Sequence, residues 1–230
     1  MYLNLPQHKN RARNTLYLVT HGGSIKGPSI YEFSTSGLNI TREVTLPVLE
    51  GYQDFFKGGC ALVKRDRSIL FFGTWMHPNR YDVAVEYDIK RGKTQLVQTP
   101  RMGAWRGSAF SAAGDSKGNV YLFSTYAEED GSYRTGFYYY DTRRNETAFI
   151  DVSGTSGGPS ERLILTTTFY AEKLKRLYIF GGTFEFAEFK DEIWYVDVSR
   201  LTDKNKRSEY ERGPFQGKIG PLGSREQDEE

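Results

Sequence analysis

The chain has 230 residues, of which 31 are Lys or Arg and 29 are Asp or Glu, so its formal net charge is +2 at pH 7. This near balance gives no electrostatic basis for binding nucleic acid or a membrane surface, and we predict neither as a partner. Cys60 is the only cysteine, which excludes an internal disulfide framework and a cysteine-ligated metal cluster.

An apolar stretch rich in β-branched and aromatic residues recurs four times along the chain. Its copies, which repeat with a period of 51 to 57 residues, are Leu16–Val19, Ile69–Phe72, Val120–Phe123 and Leu177–Phe180. A small or polar pair follows each copy, and the last copy is followed directly by the double glycine Gly181-Gly182. Such runs, bounded by glycine and charged turns, predict strands.

A second pattern repeats with the same period. An apolar or aromatic strand that ends on aspartate occurs at Val83–Asp88, Gly136–Asp141 and Glu192–Asp197, and Ser29–Ser34 is its weaker first copy. Because two unrelated markers agree on one period, the sequence predicts a tandem repeat. We expect the terminal aspartates to accept backbone N–H groups in the following turns, and the glycines to let neighbouring backbones approach closely.

Further strand patterns flank each pair of strands. Following strands are predicted at Glu43–Leu46, Gln95–Thr99 and Thr147–Val152, and preceding strands at Tyr2–Leu5, Cys60–Val63, Ser108–Ala112 and Leu163–Thr168. Four short antiparallel strands in each unit are typical of a propeller blade. We therefore predict an all-β fold with four four-stranded blades, at residues 1–48, 49–101, 102–153 and 154–200.

The chain resembles the kelch-repeat family of β-propellers. The resemblance is carried by the strand ending in double glycine (Arg176–Gly182), by the aromatic strand ending in aspartate (Ile193–Asp197), and by a basic residue that opens the first strand of a unit (Arg106 and Arg162). It covers about residues 14 to 198. The first three units are degenerate, and the family's tryptophan on the outer strand is absent. The resemblance implies a kelch-like β-propeller.

Four units are fewer than the six blades with which kelch propellers most often close. The sequence leaves three arrangements open: part of a longer propeller, a ring that closes with four blades, or open blade edges covered by self-association with a second chain. It favours a partial or degenerate propeller. Residues 201–230 are charged and contain Gly and Pro, so we predict a flexible tail there and no outer strand in the fourth unit.

The sequence offers few groups for catalysis or metal binding. The three histidines, His8, His21 and His77, are far apart and show no metal-ligand spacing. A galactose-oxidase-like enzyme would use a cysteine cross-linked to tyrosine, but Cys60 opens a predicted inner strand, where a small buried residue packs well. We predict no catalytic residue, no metal and no cofactor. An oxidase or hydrolase with its active site at the propeller axis is the alternative.

Aromatic and arginine residues are concentrated on the loops that join second to third strands and on the connections between blades. With alternating strand directions, these segments emerge on one face of a propeller. The candidate partner-binding residues on this face are Trp75, His77, Arg80, Tyr81, Trp105, Arg106, Tyr126, Tyr133, Arg134 and Phe186. Such residues on a rigid scaffold are typical of protein-binding surfaces, although aromatic loop residues also fold back onto neighbouring blades.

These patterns predict a non-enzymatic scaffold for protein–protein interaction, with a protein partner whose identity the sequence does not give. A glycan-binding module that uses the same aromatic residues is a further alternative. No stretch approaches the ~18 apolar residues of a membrane span. Residues 1–14 contain no apolar run long enough for a signal sequence, so we expect a cytoplasmic protein.

Overall fold

A computed structural model describes residues 15–20, 28–46, 60–63, 67–72, 82–100, 111–127, 133–152, 163–164, 166–184, 188–189, 193–199, 201 and 219–221. All regular structure in these residues is antiparallel β-strand. In this part of the chain there is no helix with the length and apolar character needed to cross a membrane.

The strands are short and follow the repeat. In chain order they are β1 (Thr15–Thr20), β2 (Ser29–Ser34), β3 (Asn39–Thr45), β4 (Cys60–Val63), β5 (Ser68–Phe72), β6 (Val83–Asp88), β7 (Lys93–Gln98), β8 (Ser111–Gly114), β9 (Asn119–Ala127), β10 (Tyr133–Asp141), β11 (Glu146–Asp151), β12 (Leu163–Ile164), β13 (Thr167–Ala171), β14 (Arg176–Phe180), β15 (Thr183–Phe184), β16 (Glu188–Phe189), β17 (Ile193–Asp197) and β18 (Ile219–Pro221).

The described strands form one sheet for each repeat unit and one small additional sheet. Sheet 1 has the order β1-β2-β3, sheet 2 the order β4-β5-β6-β7, and sheet 3 the order β8-β9-β10-β11. Sheet 4 has the order β13-β14-β17-β18, and the small sheet has the order β12-β15-β16. Neighbours in every sheet are antiparallel. The all-β prediction with four blade-like sheets is confirmed.

The two sequence markers occupy equivalent places in every sheet. The apolar stretch is the second strand of the unit (β1, β5, β9 and β14) and the aspartate-ended stretch is the third (β2, β6, β10 and β17). Their registers also agree, because Ile69 pairs with Tyr87, Val120 with Tyr140, and Leu177 with Val196. The repeat seen in the sequence is therefore a repeat of one strand pair. Tyr2–Leu5, predicted as a first strand, lies outside the described residues.

Sheet 4 differs from the prediction at its outer edge. The sequence predicts no outer strand there, but β18 pairs with β17 through Trp194↔Pro221, Tyr195↔Gly220 and Val196↔Ile219. A strand at the edge of a sheet needs only one row of backbone hydrogen bonds, and proline is tolerated at that place. Three residues that include Gly and Pro therefore complete a sheet without leaving a strand pattern in the sequence. The rest of the predicted tail, apart from Leu201, lies outside the described residues.

The first strands of the units lie against one another. The strand β8 packs against β4 on one side and β13 on the other. Where sheets 3 and 4 meet, the hydroxyls of Ser111 and Thr166 are 3.0 Å apart and buried. The first strands of sheets 2, 3 and 4 are therefore next to each other, as expected of the inner strands of successive blades.

Successive sheets are held together by apolar side chains that alternate along each strand. In β5, Ile69 and Phe71 belong to a hydrophobic cluster with sheet 1, while Leu70 and Phe72 belong to a cluster with sheet 3. Because side chains of a strand point alternately to the two faces, β5 is buried on both sides. Its burial pattern has no exposed position.

Three hydrophobic clusters among the described residues each join one sheet to the next. Sheets 1 and 2 share Tyr17, Val19, Ile30, Leu46, Ile69, Phe71, Val85 and Tyr87. Sheets 2 and 3 share Leu70, Phe72, Ala84, Ala112, Val120, Leu122 and Tyr140. Sheets 3 and 4 share Ala113, Tyr121, Phe123, Phe137, Tyr139, Ile150, Val152, Tyr170, Leu177, Ile179, Trp194, Val196, Val198 and Leu201. The sheets therefore pack face to face in chain order.

The turns after the aspartate-ended strands are capped as predicted. In each turn an Oδ1 atom of the aspartate accepts a backbone N–H. Asp88 accepts that of Arg91 at 2.8 Å, Asp141 accepts that of Arg143 at 2.9 Å, and Asp197 accepts that of Ser199 at 2.8 Å. These aspartates end strands and stabilise turns, so the structural role predicted for them is confirmed.

A carboxylate joins the turns of sheets 3 and 4. One Glu172 oxygen accepts the backbone N–H of Ser116 at 3.1 Å, and the other accepts the Lys175 ammonium at 2.9 Å. Partial burial alone would raise the pKa of Glu172, but these hydrogen bonds outweigh it and hold the pKa below its usual value. A carboxyl with a depressed pKa stabilises the fold above its unfolded-state pKa, and this contribution is lost as the pH falls through the folded-state value.

We predict that Glu172→Gln removes part of this stabilisation. At pH 7 the free energy of unfolding should fall by about 0.5–1 kcal/mol, a discounted figure because the carboxylate is partly exposed. The loss should shrink as the pH is lowered below the usual carboxyl range of about 4, because the wild-type carboxyl is protonated only once the pH falls through its depressed folded-state pKa. Urea denaturation at several pH values measures this. A loss that stays the same at pH 7 and at about pH 2.5, well below the usual carboxyl pKa, would contradict it.

We also predict that Gly136→Ala destabilises sheet 3. A Cβ at Gly136 would clash with the carbonyl oxygen of Ile150 and with the ring of Phe149 on the neighbouring strand. Forcing atoms into a packed strand pair costs about 1–3 kcal/mol of unfolding free energy. The matched control is Gly37→Ala at an exposed turn, where the new Cβ crowds the end of the Asn39 side chain, makes an ordinary contact with the Ser34 hydroxyl and meets no backbone atom of a neighbouring strand. Urea denaturation should show a much smaller loss for the control, and equal losses would contradict the prediction.

Candidate functional site at the loop end

The connections predicted to bind a partner leave the sheets at a shared end. In sheets 2, 3 and 4 the second strand runs towards this end and the third strand starts from it, as the antiparallel pairing of β5 with β6, β9 with β10, and β14 with β17 shows. We call this the loop end, and the opposite end, which carries the short hairpins after the aspartates, the turn end.

Most of the predicted binding residues lie outside the described residues. These are Trp75, His77, Arg80, Tyr81, Trp105, Arg106 and Phe186. Their flanking strands are described, and for Trp75, His77, Arg80 and Tyr81 these are β5 and β6. The assignment of these residues to a binding surface stays a prediction.

The other three predicted residues lie in strands rather than in a loop. Tyr126 belongs to β9, and Tyr133 and Arg134 belong to β10. Tyr126 is directly opposite Arg134, and Tyr133 is opposite Ala127. The sequence places all three in the connection, but each has a partner across the ladder, so the pairing of β9 with β10 continues towards the loop end. The backbones of Tyr126 and Arg134 are therefore held side by side.

A small sheet lies at the same end of the fourth unit. Its strand β12 precedes β13, β15 follows β14, and β16 precedes β17, so it continues the first three strands of sheet 4 beyond their ends. Phe186 lies in the connection from β15 to β16. The strand β12 packs against β9. The extended part of unit 3 and the small sheet of unit 4 thus provide neighbouring supports for two of the predicted binding segments.

The double glycine separates sheet 4 from the small sheet. Gly181 has φ of 55° and Gly182 has φ of 112°, and both are conformations that favour glycine. The next residue, Thr183, is fully buried at 0% exposure and opens β15. The glycines therefore redirect the chain between two paired segments. This supports the structural role predicted for them.

Carboxylates buried among the described residues are occupied by hydrogen bonds. Gln95 donates to Glu86 at 2.7 Å, and Asn119 donates to Asp115 from its backbone at 2.8 Å and from its side-chain amide at 2.6 Å. Asp141 caps its turn. In the same residues no group of three His, Cys, Asp or Glu side chains could hold a metal ion. The buried carboxylates Glu86, Asp115 and Asp141 therefore have structural hydrogen-bond partners.

Buried tyrosines between the sheets are held neutral. Burial, together with the nearby charges of Glu86 and Asp141, raises the pKa of Tyr140 to about 12. Burial, followed by the charge of Asp115, raises the pKa of Tyr121 well above its usual value. Tyr121 also stacks on Tyr170, with ring centroids 5.1 Å apart. Tyr121 packs between sheets 3 and 4, and Tyr140 packs between sheets 2 and 3.

A second aromatic surface escaped the sequence interpretation. On the face of sheet 4 that points away from sheet 3, Phe169 and Tyr178 have centroids 6.2 Å apart, and Tyr178 and Tyr195 have centroids 6.0 Å apart. The Arg176 guanidinium lies 4.3 Å from the centre of the Tyr195 ring. The signal was available, because Tyr178 occupies the repeat position of Tyr121. We call this surface the outer face of sheet 4.

Comparison with known proteins supports the fold. No protein-family model and no curated protein sequence matches the chain. Among solved structures, YjhT is similar with a TM-score of 0.55 and 12% identity over 92% of this chain. TolB from Acinetobacter baumannii is similar with a TM-score of 0.50 and 13% identity over 91% of this chain. The chain spans 63% of the length of YjhT and 40% of the length of TolB. Both are propeller-type folds, so the chain has an all-β, propeller-like architecture.

We predict that Gly182→Ala disturbs the small sheet. A φ of 112° is strained for any residue with a Cβ, so the free energy of unfolding should fall by about 1–3 kcal/mol. The matched control is Gly92→Ala in the β6–β7 turn, where φ is 66°, a conformation that alanine adopts at a smaller cost of about 1 kcal/mol. Hydrogen exchange should accelerate at residues 183–189 in Gly182→Ala and not in the control. Unchanged exchange there would contradict the prediction.

Proposed function

We propose that this chain is a non-enzymatic, kelch-like scaffold that binds a protein partner at the loop end. The single observation that carries the proposal is that paired strands of units 3 and 4 lie next to each other at that end. The strands β9 and β10 extend to hold Tyr126 opposite Arg134, and the small sheet that flanks Phe186 packs beside β9 through β12. A rigid support of this kind lowers the entropy lost when loop residues bind a partner.

The composition of the loop end suits recognition of a protein. Aromatic residues and arginine are enriched at the centres of protein–protein interfaces, and the predicted set consists of these types apart from one histidine. The near-neutral charge of the chain, +2, favours a partner bound by packing and local hydrogen bonds over one attracted by a strong field. Nucleic acid and membrane surfaces remain outside the proposal for the same reason. We place this activity in the cytoplasm as part of the proposal.

The remainder of the described chain supports a scaffold role. The buried carboxylates cap turns and pair with amides, and the buried tyrosines link sheets. These groups stabilise the position of the loops and leave recognition to the residues between the strands. An oxidase or hydrolase, the alternative, would instead need convergent reactive groups at the propeller axis.

The proposal predicts loss of partner binding when loop-end side chains are shortened. The variant combines Trp75→Ala, Tyr81→Ala, Trp105→Ala and Arg106→Ala. A captured partner should bind this variant at least about tenfold more weakly, because aromatic and arginine anchors usually contribute more than 1 kcal/mol each. Isothermal titration with the purified partner measures the change.

The matched control combines Leu96→Ala and Leu174→Ala, two exposed apolar residues, 46% and 56% accessible, away from the loop end. This control should bind as the wild-type chain does. Circular dichroism and thermal unfolding establish that both variants are folded. Unchanged affinity in a folded loop-end variant removes this surface as the binding site, and binding of a glycan in place of a protein would support the lectin-like alternative.

A further inference from the structure

Each interface between successive sheets uses the same repeat positions. On the side facing the next sheet, the first position is Tyr17, Leu70 and Tyr121 in sheets 1, 2 and 3, with exposures of 4%, 2% and 0%. The second position is Val19, Phe72 and Phe123, with exposures of 1%, 3% and 0%. In sheet 4 these positions are Tyr178 and Phe180, which are only half-buried. The outer face of sheet 4 thus repeats a contact surface whose other copies are all covered.

Sheet 1, at the other end of the stack, carries the complementary half of this contact surface. On the side facing the previous sheet, one position is Phe71, Leu122 and Ile179 in sheets 2, 3 and 4, with exposures of 1%, 0% and 0%. Another is Tyr87, Tyr140 and Val196, with exposures of 2%, 2% and 0%. In sheet 1 the equivalents are Leu18 and Phe33, both half-buried. We call this surface, with Tyr31 between them, the outer face of sheet 1.

These two faces are the two halves of an interface that forms three times within the described chain. None of the three clusters in the described residues joins sheet 1 to sheet 4. A ring closed by four sheets would bury Tyr178 and Leu18 as completely as it buries Tyr121 and Phe71, and they are half-buried instead. The faces are suited to each other in chemistry, since the outer face of sheet 4 presents Tyr178 and Phe180 and the outer face of sheet 1 presents Leu18 and Phe33.

We propose that two copies of this chain assemble head to tail, with the outer face of sheet 4 of each copy packed on the outer face of sheet 1 of the other. The contact continues the stacking already present between sheets 1 and 2, 2 and 3, and 3 and 4. Two copies give eight blades, which is within the four to eight of most propellers, whereas three copies would exceed it. A contact between two different surfaces closes into a ring of two when each copy is rotated by half a turn relative to the other. The loop end stays free for a partner.

The test measures the mass of the purified full chain by sedimentation velocity from about 1 to 100 μM, a range that detects weak and moderate dimers. We expect a species of twice the 26.3 kDa chain mass. Tyr178→Glu on the outer face of sheet 4, or Leu18→Lys on the outer face of sheet 1, should each give a monomer, because either change places an unpaired charge in both contacts of the dimer. The two positions are half-buried, and thermal unfolding establishes that the variants are folded.

Mixing the two variants tests whether the contact is head to tail. Mixing the Tyr178→Glu and Leu18→Lys variants leaves one unaltered contact, between the intact sheet 4 of one and the intact sheet 1 of the other, and brings opposite charges together in the second. The mixture should therefore form dimers although neither variant does so alone. The control Leu96→Glu, on the outer strand β7, changes an exposed leucine that is outside both faces and should remain dimeric.

Three outcomes would overturn the proposal. A wild-type chain that stays monomeric throughout the range would show that the faces are covered by the chain itself or by a different protein. A dimer that survives both variants would place the contact elsewhere. Assemblies larger than two copies would exclude closure by two. Because the loop end is not part of either face, loss of dimerisation leaves the partner-binding proposal to its own experiment.

Discussion

The structure depends on the burial of both faces of each sheet. A strand such as β5 or β9 places apolar side chains on its two sides alternately, so neither side can face water without a cost of about 1.5–3 kcal/mol for each large side chain. A sheet of this composition is therefore stabilised by a neighbouring sheet on each side. The three hydrophobic clusters provide this stabilisation between successive sheets. Sheets 1 and 4 each share a cluster with only one other sheet among the described residues, so their outer faces lack a covering sheet.

The two ends of the sheets have separate tasks. At the turn end, carboxylates stabilise short connections: Asp141 accepts backbone N–H groups, Asp115 holds Asn119, and Glu172 joins the turns of sheets 3 and 4. These groups are used fully in structure. At the loop end, β9 and β10 continue as a ladder and the small sheet continues unit 4 beyond the double glycine. Long connections leave the paired strands at this end, and this arrangement is the basis of the proposed partner binding.

The sequence predicts at which end of the sheets the candidate site lies, but not which of its residues are in strands. The period predicted that the connections after β5, β9 and β14 leave at one end, and the pairing of the strands agrees. It did not predict that Tyr126, Tyr133 and Arg134 are in strands, because the end of a strand depends on a partner across the ladder more than on its own residues. The small sheet was missed for a similar reason. Two-residue strands such as β12 and β15 have no periodicity to detect.

The sequence alone determined the unit: a second strand of apolar residues, a third strand ending on aspartate, a period of about 55 residues and hence four sheets. These features are local, since alternation, turn residues and repeat length are written in neighbouring positions. Tertiary structure alone decided which edge strand completes sheet 4 and which faces are left half-buried. The strand β18 pairs through its backbone, so its side chains did not reveal it. Tyr178 is half-buried and Tyr121 is fully buried, because the exposure of this position depends on whether another sheet lies beside it. Similar sequence patterns cannot distinguish the last sheet of a stack from the sheets within it.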